Sequence, residues 1–453
     1  MKQIFIILSY FILILFDIGF AQSNEKRIKV VGDSLVGRTV NDIAYREVIG
    51  NVIITQGKVK ITCNKAVQNL SENNALLSGH IIATQDTVRI VTEKGLYYGN
   101  RKYVFSDTLI TLEDSHVVLT ADTGYYYFEL KKAIFNSNVQ LVDTANILNS
   151  DNLIYLREED KAVAVGNVSV SNNESVIYCD SLVYLRNKNE AFAYRNVKIE
   201  NPKQLLTIIG DTLVNKGKEE YTRIIGKPLL TKIDSSNNDN ETDTLFIRAD
   251  MFESVKDSLH KLIATDSVKI IRGSLSSINT SSILYKDENM LVINKREEDK
   301  NSPVLWFENS QLVGDSITIF FTDKKLDSIE VRKNAIIISR NKTYDKRFDQ
   351  ISGDKINLYF QKGKLQTTIV KGNVLSIYYL YEDEKPNGLM KSSAGKVKML
   401  FKDNSVINVS MYQSVQSEYH PENLVNGNEL GFTLPDFVLY KNKPKKKNMI
   451  ERE

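Results

Sequence analysis

A period of 29 residues governs this chain. Residues 137–165 read SNVQLVDTANILNSDNLIYLREEDKAVAV, and residues 166–194 read GNVSVSNNESVIYCDSLVYLRNKNEAFAY. Asp151-x-Leu153-x-Tyr155 returns as Asp180-x-Leu182-x-Tyr184. The period extends in both directions: Val52, Ile81, Ile110, Val139, Val168 and Val197 are each 29 residues apart. So are Ile54, Ala83, Leu112, Leu141, Val170 and Ile199. A third column runs Asn64, Glu93, Asp122, Asp151, Asp180, and a fourth Tyr97, Tyr126, Tyr155, Tyr184. About six copies fill 50–223, and a repeat of this length is a small supersecondary unit that buries its apolar face by stacking on its neighbours.

Inside a copy the apolar residues alternate. In Gly166-Asn167-Val168-Ser169-Val170 the valines share one face. The intervening column, Ile53, Ile82, Thr111, Gln140, Ser169 and Lys198, turns polar along the stack and is expected to face outward. Asn, Asp and Ser punctuate each copy, which predicts two or three short strands with hairpin-like turns. The stretch 153–165 has helix-forming residues, but its copy at 182–194 carries Val183, Tyr184, Phe192 and Tyr194, which favour strand. The chain is therefore read as all-β. If each copy is one layer at ~4.8 Å, six layers span about 29 Å.

The register slips after Arg223, at Gly226-Lys227-Pro228, and the polar run from Asp234 to Asp243 reads as a linker or long loop. Beyond it the unit returns with unequal spacers, as in Gly353-Asp354-Lys355-Ile356 leading to Gly372-Asn373-Val374. The expected organisation is a signal segment at 1–21, a first repeat domain at 22–233, the linker at 234–243, and a second repeat domain at 244–415. A C-terminal segment at 416–453 ends in a basic tail expected to be unstructured.

The signal reading rests on Lys2, the apolar run Ile4–Phe16, and small residues at Gly19 and Ala21, with cleavage expected before Gln22. It places the protein outside the cytoplasm. The net charge of +3 resides in the tail, where Lys441, Lys443, Lys445, Lys446 and Lys447 cluster. That run reads as a solvated face or as a contact for anionic lipid or phosphate. No basic face interleaved with aromatics points to nucleic acid. Cys63 and Cys179 fall in one column four copies apart, about 19 Å if each copy is one layer, and a disulfide needs Cα atoms within ~7 Å. Both are expected to be unpaired.

Nothing in the pattern carries catalysis. His80, His116, His260 and His420 have no partner at metal-ligand spacing, and no phosphate loop or nucleophile elbow is present. The acidic column reads as turn formers, because Asp and Asn side chains bond nearby backbone. The Tyr column reads as a packing ladder, and Trp306 in Val304-Leu305-Trp306-Phe307 as part of a core strand. No cofactor, metal or catalytic residue is expected. What remains is a long apolar inner face and strand edges at each end, which invite end-to-end self-association.

Gly-Asn-Val-x-Val followed by Cys/Ala-Asp-x-Leu-x-Tyr, as in 166–184 and again from Gly50 to Ala66, resembles the repeat of the OstA/LptA family of lipopolysaccharide-transport proteins. The resemblance covers roughly 45–410, most clearly 50–223. It implies an open β-jellyroll of two antiparallel sheets in a V, expected in this chain as two consecutive stacks. It implies a periplasmic, non-enzymatic carrier or bridge, associated with the outer membrane, whose partners are lipopolysaccharide and other transport components of like fold. It also implies that lipid A acyl chains would lie against Val52, Ile54, Ile81, Ile110, Leu112, Val139, Leu141, Val168, Val170, Val197 and Ile199. The chain is longer than the simple bridge protein and lacks the C-terminal barrel of the outer-membrane member. The other reading is a closed β-solenoid serving as a structural or adhesive surface protein.

Overall fold

The computed structural model describes residues 28–115, 117–235, 242–255, 260–403 and 405–450. The expected signal segment, His116 and the middle of the 234–243 run lie outside the described residues. Strand makes up 70% of the structure and helix 4%, so the alternating pattern is read out as an all-β chain with stacked sheets. The chain divides into two compact units, 1–168 and 169–453.

In the first unit, strands Ile43–Gln56, Val59–Asn69, Asn74–Gln85 and Val88–Tyr98 form an antiparallel meander. Each copy therefore supplies two long strands rather than two or three short ones. The rise per copy is then about 9.6 Å, twice the single-layer figure. Every one of these strands is broken at its middle. Pairing shifts between Ile49 and Val52, between Thr62 and Lys65, and between Ser78 and Ile81. Where the break is complete, the halves become separate strands. Tyr103–Ser106 pairs with Leu96–Tyr98, whereas Ile110–Asp114 pairs with Arg89–Thr92. The halves on either side of the break thus build two half-sheets that meet along one seam.

The seam has a chemical cause. In every second strand two successive residues at the break take positive φ, as at Gly50 (78°) and Asn51 (46°), Ser137 (63°) and Asn138 (52°), and Gly166 (83°) and Asn167 (45°). An extra residue in one strand of an antiparallel pair bends that strand, and Gly and Asn tolerate the left-handed conformation the bend needs. Carboxylates, Asp33 and those of the acidic column, then pin the bend. Asn51 donates to Asp33 at 2.9 Å, Asn138 to Asp122 at 2.7 Å, and Asn167 to Asp151 at 2.9 Å. At His80 the ring pairs instead with Glu93, at 2.9 Å. The carboxylates expected in hairpin turns sit in mid-strand, because the bend they stabilise is a bulge. The residues just before them, Cys63, Thr92, Ala121 and Ser150, are small and buried, which lets the half-sheets converge there.

The second unit repeats the device: Asn196 on Asp180, Ser267 on Asp250, Asn334 on Asp315 and Asn373 on Asp354. Its outer face differs. Ala335, Ile336, Ile337 and Ile338 are all buried, as are Val304, Leu305, Trp306 and Phe307. Runs without alternation are buried on both faces. The cover is the C-terminal segment, which was expected to be unstructured from 441 onward. Gln350 donates to the Phe432 carbonyl at 3.1 Å and accepts from the Leu434 N–H at 2.8 Å. Gln311 does the same at Val438 (2.7 Å) and Tyr440 (2.9 Å). Arg347 anchors the start of this strap through both carboxylate oxygens of Glu422. Val425 and Leu434 join Ile336, Ile338, Phe348, Ile377, Tyr379 and Leu389, and Met449 is buried with Leu229 and Phe246. Each glutamine amide satisfies one backbone donor and one acceptor that burial would otherwise strand. That is why a segment with only short helical turns stays in place.

The seam account predicts a contrast at one position. Asn167→Ala should cost about 1–2 kcal/mol, since alanine resists the left-handed conformation and the Asp151 bond is lost. Asn167→Gly, which forfeits only an exposed hydrogen bond, should cost under about 0.5 kcal/mol by urea unfolding. Equal losses in the two variants would refute it.

Candidate functional site

The two half-sheets of the first unit turn their apolar rows toward each other. From one come Val52, Ile54, Ile81, Ile110, Leu112, Val139, Leu141 and Val168, all between 0 and 4% exposed. From the other come Ala66, Leu77, Tyr97, Tyr126, Phe135 and Leu153, likewise buried. The alternation dictates this. The bulge keeps both halves of a bent strand presenting the same side inward. The outward partners are solvated: Ile53 is 37% exposed, and Gln140 is exposed. In the second unit Val197 is buried, whereas Val170 and Ile199 are half-buried. The structure thus gathers the sequence-derived positions of each unit onto one inner face.

The Tyr column lies in this interior. Tyr97 packs edge-on to Phe128 at 6.4 Å and Tyr126 to Phe128 at 5.1 Å. Burial pushes the Tyr126 phenol up to about 12, so it is neutral and serves as packing. Cys63 and Cys179 are free and buried, and burial raises both thiols to about 11, which leaves them inert at neutral pH. Among the described residues no group of His, Cys, Asp and Glu could hold a metal ion. None of the described helices is long and apolar enough to cross a membrane.

Away from the seam, polar latches bridge the free tips of the half-sheets. In the first unit Arg157, just past the tip of strand Ile147–Leu156, donates to Asp114 at 3.0 Å and to the Thr87 hydroxyl at 2.7 Å. Thr87 in turn donates to Asp114 at 2.7 Å. Thr87 and Asp114 belong to tips of the opposite half-sheet. Burial would raise the Asp114 carboxyl, but the Thr87 hydroxyl, the Ser115 N–H and Arg157 outweigh it and hold it below its usual value. Tyr97 donates to Gln56 at 2.5 Å, and Gln56 donates to the Gly99 carbonyl at 3.1 Å, joining the same two half-sheets.

In the second unit Arg272 takes this place. It pairs with Asp234 at 3.0 Å and Asp243 at 3.2 Å, donates to the Lys324 carbonyl at 2.6 Å, and lies 4.0 Å over the Phe321 ring. A cavity of about 500 Å³ opens beside it between Phe307, Phe321, Leu326 and Lys362. A smaller apolar void of about 20 Å³, lined by Leu245, Ile270 and Leu305 among others, lies on its inner side. Sequence reading missed the latches. Arg157 sits in a charged turn that looks merely solvated, and its partners lie 43 and 70 residues away in other copies.

Set against known proteins, the chain matches the family model described as OstA-like protein twice, over residues 31–156 and 143–251. No curated protein matches it. Among solved structures, it is similar to LptH from Pseudomonas aeruginosa, described as the LptA-homologous periplasmic component of the conserved lipopolysaccharide transport device. That likeness is 15% identical over 29% of this chain and 78% of LptH, with a TM-score of 0.16. OccK5 (OpdH) from the same organism is 9% identical over 84% of this chain and 91% of its own, with a TM-score of 0.11. At such scores neither likeness bears on fold or function. The family match, the seam motif repeated through both units and the paired half-sheets agree with one another: across residues 31–251 this chain is OstA-like.

Proposed function

We propose that this protein is a non-enzymatic periplasmic carrier or bridge for lipopolysaccharide on its way to the outer membrane. Acyl chains would occupy the space between the half-sheets, against the inward columns from Val52 to Ile199. The observation that carries the reading is the pair of facing apolar rows, hinged at a seam and held shut at the tips by a few polar contacts.

The magnitudes favour such an exchange. An acyl chain entering between the rows replaces one apolar contact with another, and each buried methylene gains about 0.8 kcal/mol relative to water. Opposing it are the latches, each worth about 1.5–3 kcal/mol as hydrogen bonds to charged groups. A chain of about twelve carbons gains about 10 kcal/mol on leaving water, enough to part several latches. Strand edges supply the route for bridging. Among the described residues, Ser34–Val40 pairs only with Ile43–Ile49, and Ser405–Tyr412 only with the strand Lys385–Lys402. Both outer strands expose apolar side chains, Leu35 (56%) and Val36 (52%) on one, Ile407 (61%) and Val409 (40%) on the other. End-to-end pairing with another stack of like fold would cover them.

The near-complete burial of the inward rows favours a second reading, a closed β-solenoid acting as a structural surface protein. Two measurements separate the readings. A photo-crosslinking residue at Val139 should capture lipopolysaccharide in cells while one at Gln140 does not. Adducts at neither position, in exported and folded protein, would reject the carrier reading. Arg157→Ala should raise binding of a hydrophobic dye by purified protein, at a cost of about 2 kcal/mol in stability. The latch variant should also be mimicked by acid. Asp114 stabilises the fold above the ordinary carboxylate range, and that contribution is lost as pH falls through its depressed value. Unchanged dye binding in Arg157→Ala, with the expected loss of stability, would favour the closed solenoid.

A further inference from the structure

The strap that covers the outer face of the second unit has a second side. Its inward side chains, Val425, Leu434 and Met449, are buried in the sheet. Its outward side carries large apolar residues in solvent: Leu430 is 62% exposed, Val438 51%, Leu439 40% and Ile450 54%. Between the last of these stand Lys441, Lys443, Lys445, Lys446 and Lys447, all exposed, with no acidic residue from 437 to 450.

Two features set this run apart from an ordinary solvated tail. The first is that it is fixed. Gln311 grips the backbone at Val438 and Tyr440, just before the lysines, and Met449 is fully buried just after them. Between these points Lys443 donates to the Glu308 carbonyl at 3.4 Å, and Lys446 lies 5.2 Å over the Phe246 ring. The second is that most of this charge is not neutralised. Lys441, Lys443, Lys445 and Lys446 make no ion pair with any described carboxylate, whereas carboxylates elsewhere on the strap, Glu422 and Glu429, are paired with Arg347.

We propose that the outward side of the strap is a docking surface for an anionic lipid bilayer. Exposed aliphatic side chains interleaved with lysines are the chemistry that interfacial binding uses. The apolar groups enter the headgroup boundary, and each lysine is drawn to the negative surface potential. Holding the strap to a sheet by both flanks removes the ordering cost that a free tail would meet on binding. The surface would place the second unit against a membrane while leaving the interior of each unit free. It extends the transport reading by giving the carrier a place to rest, yet it depends on none of the inward residues.

The test is co-sedimentation of the full-length protein with vesicles. One set is pure phosphatidylcholine, and the other contains phosphatidylglycerol at about one third; neither contains lipopolysaccharide. Wild-type protein should partition at least about ten-fold more strongly to the anionic set at low salt, and the preference should collapse near 0.5 M salt. Replacing Lys441 and Lys445 by glutamine, which leaves the Lys443 and Lys446 contacts in place, should lower the preference several-fold without moving the melting transition, and replacing all five should abolish it. Leu430→Ser with Ile450→Ser should weaken the binding that remains at intermediate salt. Binding that ignores lipid charge, or survives high salt undiminished, would overturn the proposal. So would saturable binding of inorganic phosphate with no vesicle binding, which would mark a soluble anion site instead. Because the vesicles lack lipopolysaccharide, failure here leaves the Val139 crosslink to decide the carrier reading by itself.

Discussion

Everything in this structure depends on how an antiparallel strand is made to bend at its middle. Two residues with positive φ, opposite fewer on the neighbouring strand, break the register and turn the strand. An asparagine at the second of these positions accepts the backbone conformation and spends its amide on a carboxylate of an adjacent strand. Without that left-handed bend a 29-residue copy would have no reason to divide its apolar residues between two half-sheets. With it, each bent strand gives one inward row to each half-sheet, and successive copies lengthen the rows.

The interior is therefore a consequence of the seam, and its closure depends on what happens at the tips. There the contacts are few and polar: Arg157 with Asp114 and Thr87, Tyr97 with Gln56, Arg272 with its two aspartates and the Lys324 carbonyl. Apolar rows are indifferent to which apolar partner they meet, whereas a latch has one partner. Under the proposed function, the energetic distinction between a shut and an occupied interior would fall on the latches and on the seam. The raised thiols of Cys63 and Cys179 and the raised phenol of Tyr126 reflect burial alone.

The second unit shows what the same seam can support when its outer face is apolar. A sheet with buried residues on both sides needs a cover, and the chain provides one from its own C-terminal segment. Two buried glutamines hold it by reading the extended backbone rather than its side chains. This leaves the outward residues of the strap free to carry a surface chemistry of their own, which is where the lysine run and the exposed aliphatics stand.

Much of this was legible in the residues. The columns from Val52 to Val197 and from Ile54 to Ile199 set strand, face and repeat, because period-two alternation admits no other secondary structure. The acidic column was visible too, but not its role. Asp151 beside Asn152 looks like a turn, and only pairing across strands shows that it faces Asn167 in mid-strand. The unbroken run Ala335-Ile336-Ile337-Ile338 implied a covered outer face without saying what covers it. The latches and the strap were beyond reach of pattern, since Arg157 meets Thr87 across 70 residues and Gln311 meets Tyr440 across 129. By itself the sequence determined what recurs and which face is apolar, because these are local properties of a repeated unit. Only tertiary structure decided how the tips close and what lies over the second unit, because those contacts join residues that no period relates.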